Sequence, residues 1–210
     1  KNVINSFRFN LRMIKPFIIG ITGGIGSGKS TFSRYLMRRG QLVYDTDLEA
    51  KILQNTNKDL RRAIMDEFGE DVYNAAGLDR TKMAGIVFSD SAKLHRLNKL
   101  VHPVVINDFQ NWVNENADRK FLFMECAILF EGGFRSLVDK VVVVTAPEEV
   151  RVQRVMLRDC QTEAAVKARV RNQMQDAEKI KLADWVFDTN NDIFPHERVD
   201  EFLEMLNDSL

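Results

Sequence analysis

Apolar and polar positions follow two rhythms along this chain, and five segments carry the strand rhythm. Residues 17–22 form a nearly continuous apolar run with three isoleucines, the pattern of a strand buried on both faces. Residues 41–44, 121–130, 140–145 and 185–188 repeat that signal, and 121–130 is broken only by Glu125. Between them apolar residues recur at helical spacing. Residues 31–39 predict a helix that stops at Gly40, and 60–68 one that stops at Gly69. Further helices are expected at 48–53, 80–88, 92–100 and 104–113, the last with Pro103 where a helix can begin. Glu148 and Glu149 open another, and 195–206 closes the chain. Residues 58–116 carry no strong strand signal. Strands alternating with helices predict an α/β fold, a doubly wound parallel five-stranded sheet with helices on both faces.

Two helical stretches exceed what a simple crossover needs. Residues 55–117 read as an inserted subdomain, and 148–182 as a helical lid. The expected organisation is a core domain over 14–191, a closing helix within 192–210 and an N-terminal extension at 1–13. Met13 is a candidate natural start, with the preceding stretch a peripheral extension or a short added helix. That stretch has basic residues but neither the apolar core nor the cleavage site of a secretory signal.

The first strand runs into the most informative stretch. Gly23, Gly28, Lys29 and Ser30 fit G-x-x-x-x-G-K-[ST], with a strand before and a helix after. Glycines at 23, 24, 26 and 28 let backbone N–H groups approach a phosphate. The following helix points its positive end at the same anion. Lys29 is placed to reach the β- and γ-phosphates and Ser30 to ligate Mg²⁺. The expected nucleotide-binding set is Gly24, Ile25, Gly26, Ser27, Gly28, Lys29, Ser30 and Thr31. A glycine turn without a ligand would not need strand, lysine, serine and helix together.

Composition narrows the field without adding chemistry. The 210 residues are 45% hydrophobic and 29% charged, with a formal net charge of +0. That balance gives no general argument for nucleic acid or membrane binding. The longest apolar runs are too short to span a bilayer. Cys126 and Cys160 have no metal-type spacing and no disulfide framework, so plain thiols in a reducing, cytoplasmic setting are expected.

Three further features point to transfer rather than binding alone. Asp45 and Asp47 alternate at the end of the second strand, where open α/β sheets hold ligands. A helix N-cap at Asp47 explains one acid but not the pair. Glu125 is costly to bury unless paired or near a metal, and sequence leaves both readings open. Arg154 and Arg158 share a helix face, the placement of lid arginines that close on phosphate and exclude water. A solvated charged face paired with nearby acids is the plainer alternative. His102, before Pro103, is by composition a packed or capping residue.

Taken in order, these motifs resemble the dephospho-coenzyme A kinase family, a group of P-loop kinases, from about Ile14 to Asn191. The resemblance lies in Thr22-Gly23-Gly24-Ile25-Gly26-Ser27-Gly28-Lys29-Ser30-Thr31, Asp45-Thr46-Asp47 and Leu100-Val101-His102-Pro103. It continues through Ile128-Leu129-Phe130-Glu131, Arg154 to Asp159, Arg169 to Gln173, and Ala183-Asp184 to Asn190. The chain departs from the family pattern at Glu125-Cys126-Ala127, where the family often has Asp-hydrophobic-Pro. The resemblance implies ATP- and Mg²⁺-dependent phosphorylation of the ribose 3′-hydroxyl of dephospho-CoA. It also implies that the helical insertion binds the acceptor. On this reading Asp47, Lys29, Arg154 and Arg158 are catalytic, with Asp47 accepting the hydroxyl proton. Asp45, Asp47, His102 and Glu131 would contact the acceptor, Asn190 the nucleotide, and Ser30 and Asp45 the metal. Another small-molecule or nucleoside monophosphate kinase, or a nucleotide-binding switch without transfer, remains the alternative. The sequence sets no oligomeric state.

Overall fold

A computed structural model describes residues 15–88, 90–190 and 196–209. The extension expected at 1–13 lies outside them, as does the approach to the closing helix at 191–195.

Strand β1, Phe17–Thr22, lies at the centre of a five-stranded sheet. Its neighbours are β5, Phe121–Glu125, and β6, Lys140–Thr145. Outside these pair β2, Val43–Asp45, and β7, Trp185–Asp188, giving the order β2-β5-β1-β6-β7 with every pairing parallel. The sheet is buried on both faces because its apolar residues serve two cores by period-two alternation. Ile18, Tyr44, Leu122, Met124, Val141 and Val143 face one core. Ile19, Ile21, Phe123, Val142 and Val144 face the other.

The second core is closed by helix α1, Lys29–Arg38, through Phe32 and Leu36, and by the C-terminal helix, His196–Ser209, through Val199, Phe202 and Leu206. The first is closed by the helices between β2 and β5. These are α2, Thr46–Thr56, α3, Lys58–Phe68, α4, Arg80–Phe88, and α5, Ser91–Glu115. Two two-residue strands, β3 (Tyr73–Asn74) and β4 (Gly77–Leu78), form a small antiparallel hairpin there. This hairpin carries no pattern of its own, because two residues show no periodicity. After β6 come α6, Glu148–Asp159, α7, Glu163–Arg171, and α8, Asp176–Lys181. Val152, Val155, Val166 and Val170 form a small core of their own that holds α6 to α7. The C-terminal helix is α9.

Two expectations about element limits are corrected. Pro103 does not begin a helix; it lies inside α5, which runs 25 residues. Its missing N–H is tolerated because Pro103 sits on the exposed face, where water reaches the freed carbonyl, while Leu97, Val101, Val105, Phe109 and Val113 keep the buried stripe continuous. The third strand ends at Glu125 rather than at residue 130. The apolar residues that follow form a turn instead, with Cys126 and Leu129 buried and Ala127, Ile128 and Phe130 half-buried: Gly132 N–H bonds Ile128 O at 2.7 Å, and Leu129 folds onto Gly20 of β1.

Candidate active site

The C-terminal ends of β1, β2 and β5 deliver three polar segments to one edge of the sheet. Register sets their level: Ile21 pairs with Glu125, and Asp45 pairs with Glu125 from the other side. Two carboxylates therefore stand on adjacent strands, next to the turn that leaves β1.

That turn wraps tightly. Gly26 has φ +79, and a Cβ there would lie 2.4 Å from the Arg151 carbonyl oxygen; at Gly23, φ +145, it would lie 1.9 Å from the Val144 carbonyl oxygen. Only glycine fits either place. Helix α1 then starts from Gly28 with no side-chain cap, so its first turn presents backbone donors suited to an anion. The Lys29 side chain arches back over the loop and donates to Gly23 O (2.8 Å) and Gly24 O (3.1 Å). Burial holds its pKa below the ordinary lysine value, opposed chiefly by the Glu125 carboxylate.

Ser30 Oγ donates to Glu125 Oε1 at 2.7 Å, and Glu125 is buried. Asp45 Oδ1 accepts from Asp47 N–H (3.0 Å) and Leu48 N–H (3.1 Å), so Asp45 caps α2. The cap expected at Asp47 thus falls two residues earlier. Asp47 lies in the first turn of α2 and opens onto the cleft. Surrounding protein raises its pKa above the ordinary value, neighbouring Asp45 adds to the rise, and Lys29 and Lys51 oppose it.

The cleft has a volume of about 1030 Å³, and Lys29, Ser30, Asp45, Asp47, Glu125, Arg154 and Arg158 line it. Arg154 donates to Thr189 Oγ1 (3.0 Å) and Thr189 O (2.6 Å). Thr189 Oγ1 in turn donates to Ser27 O at 2.7 Å, which ties Arg154 to the loop. Arg158 pairs with Asp159, as does Arg169. These two arginines hold the Asp159 carboxyl down at about 2.

A loop that wraps phosphate, a buried lysine, an acid at the strand edge and arginines opposite make a site for phosphoryl transfer. A family model described as dephospho-CoA kinase matches residues 17–194. The chain belongs to the dephospho-CoA kinase family. Its relatives agree. The dephospho-CoA kinase of Fusobacterium nucleatum is 36% identical over 193 residues, covering 90% of this chain and 98% of that one. A crystal structure from Thermus thermophilus is 35% identical with a TM-score of 0.77, over 93% of this chain and 98% of the other. The dephospho-CoA kinase from Campylobacter jejuni is 27% identical with a TM-score of 0.65, over 92% and 98%. The protein is a kinase that uses ATP to phosphorylate dephospho-CoA in coenzyme A synthesis.

Within this dephospho-CoA kinase, the residues singled out from sequence fall into two groups. Ile25, Gly26, Gly28, Lys29, Ser30, Thr31, Asp45, Asp47, Arg154 and Arg158 line the cleft. The others do not. Gly24 and Ser27 belong to the loop but lie behind its lining. Asn190 donates its N–H to Asp188 Oδ1 (2.8 Å), beyond Thr189. His102 is half-buried in α5, 5.3 Å from the Phe134 ring, and burial lowers its pKa. Glu131 Oε1 accepts from Met174 N–H (2.6 Å) and pairs with Lys179 Nζ at 3.3 Å. It joins the loop after β5 to the segment between α7 and α8.

Several residues escaped the sequence reading. Arg151, Asp176 and Lys179 were not singled out from sequence, yet Arg151 and Lys179 are buried. Their signal was available only as charges within apolar helix faces. Gln173 and Thr189 were visible solely as members of the Arg169–Gln173 and Ala183–Asn190 resemblances.

Proposed function

We propose that Lys29 and the backbone of the loop from Gly26 to Thr31 hold the ATP phosphates, and that Asp47 accepts the proton of the dephospho-CoA ribose 3′-hydroxyl. The hydroxyl oxygen bonds to the γ-phosphorus as the bond to the ADP oxygen breaks. In a loose transition state the base chiefly orients the nucleophile, and its raised pKa suits a group that must take up a proton. Asp45, fixed by its cap, sets the start of α2 and so the position of Asp47. Arg154 and Arg158 then swing from Thr189 and Asp159 toward the transferring group, where permanent positive charge stabilises spreading negative charge. Helices α2–α5 form the acceptor-binding subdomain and α6–α8 the lid, with His102 and Glu131 supporting the acceptor side from behind.

Ser30 Oγ, with the Glu125 and Asp45 carboxylates beside it, offers the hard oxygen donors that Mg²⁺ takes. Those residues would hold the ion, which when bound neutralises phosphate charge. Cytoplasmic work is part of the same proposal, supported by two free thiols.

The observation that carries this reading is the meeting of Lys29, Asp47 and Arg154 on one cleft. A coupled ADP-release assay with MgATP, with and without dephospho-CoA and with the product weighed by mass spectrometry, tests it on the wild type and on Lys29→Ala and Asp47→Asn. CoA formation lost in both variants while the fold persists is expected. Full activity in either removes that residue from its role.

A further inference from the structure

The amides at the start of the phosphate loop are already bonded, and their partners come from the far side of the lid. Ile25 N–H donates to Gln173 Oε1 at 2.9 Å, and Gly24 N–H donates to Asp176 Oδ1 at 3.1 Å. Gln173 belongs to the segment that joins α7 to α8, and Asp176 is the first residue of α8. That segment is fastened independently: Thr145 Oγ1 donates to Asp176 Oδ2 (2.8 Å), Met174 N–H to Glu131, and Lys179 Nζ to Ala127 O (2.9 Å).

The choice of acceptors follows charge. Gln173 lines the cleft, which already holds the Asp45, Asp47, Glu125 and Asp159 carboxylates, and being neutral it adds no further negative charge there. Asp176 lies behind the loop, where its charge faces the buried Arg151 guanidinium at 3.5 Å. Arg151 is itself fixed by donating Nε–H to Ala146 O. A neutral group thus holds the amide at the wall, and a balanced carboxylate holds the amide behind it.

We infer that Gln173 is a positioning residue for the ATP half of the reaction: by holding the Ile25 amide it fixes the shape of the loop's first turn, and so the placing of the donors that follow it, before nucleotide arrives. Preorganised donors cost no rearrangement on binding. Because Gln173 stands on the lid's return segment, it also couples the base of the lid to the loop. This rests on the reading that the loop holds ATP phosphates.

The test uses the whole chain, with Gln173→Met, which removes the acceptor oxygen, and Gln173→Glu, which keeps one. Amide exchange at Ile25 in nucleotide-free protein should quicken about tenfold or more in Gln173→Met and stay near wild type in Gln173→Glu. In Gln173→Met the KM for ATP should rise about fivefold, while that for dephospho-CoA stays within about twofold. Unchanged Ile25 exchange in a folded Gln173→Met, or activity lost with both KM values unchanged, overturns the inference. Wild-type P-loop amide resonances that ignore MgATP would instead refute the nucleotide reading, while the exchange measurement still judges the Gln173 contact.

Discussion

Ser30 and Glu125 are joined by a 2.7 Å hydrogen bond that links the first turn of α1 to the end of β5. The same carboxylate is the main influence opposing the desolvation of Lys29. Glu125→Gln keeps a hydrogen bond to Ser30 but removes the charge. The Mg²⁺ concentration needed for half-maximal rate should rise about tenfold to a hundredfold, read by titrating Mg²⁺ at fixed ATP. An unchanged Mg²⁺ requirement would separate Glu125 from the metal side of the site.

Lys29→Ala removes a buried cation, with its hydrogen bonds to Gly23 O and Gly24 O, from a loop whose turns also rest on glycine geometry. The kcat should fall by about a hundredfold or more, with the circular dichroism spectrum kept. A rate within about tenfold of wild type would put the phosphate-binding burden elsewhere.

Asp47→Asn should lower kcat about 10²–10⁴-fold with little change in either KM, since a base that orients the nucleophile acts in the transition state. Stability should move the other way. The native pKa of Asp47 lies above the ordinary 3.8, so the ionised group disfavours the native state above that native value. The penalty fades as pH falls through it and is gone below 3.8. Melting at pH 7 should therefore show Asp47→Asn no less stable than wild type, with the advantage vanishing in acid. A variant less stable at pH 7 than at pH 4 relative to wild type would contradict this sign.

Gly24 needs its missing side chain for a reason unrelated to phosphate. A Cβ there would lie 2.0 Å from Arg151 Nη1 and 2.8 Å from Asp176 Oδ1. Gly24→Ala should cost about 1–3 kcal/mol by crowding this buried pair, measured by urea denaturation. A neutral result would mean that Arg151 has room to withdraw.

The central strands β1, β5 and β6 were legible because they are buried on both faces. Residues 140–145 and 185–188 were read to the residue as β6 and β7, β6 from a β-branched run between polar residues, while the edge strand β7 leaves Val186 exposed. The same rule failed at 126–130. There Cys126 and Leu129 are buried too, but as a turn packed beneath the sheet edge, and apolar content alone does not tell strand from turn. Pro103 misled because a proline's local preference yielded to a long buried stripe on the other side of α5. The site followed the same division. Lys29, Ser30 and Asp47 lie close to their motif in sequence, whereas Gln173 reaches Ile25 across 148 residues, and nothing local marks such a contact.

The two thiols differ in a way that turns this kinase into its own reporter. Cys126 is buried, and burial pushes its thiol up to about 12, so it stays protonated and shielded from alkylating reagents. Cys160 is exposed at the end of α6, one residue beyond Asp159. A maleimide dye added to the unaltered chain will therefore attach at the end of α6 alone. Its fluorescence would test whether Arg158 and Asp159 part as the two substrates bind, with no cysteine engineered in or out.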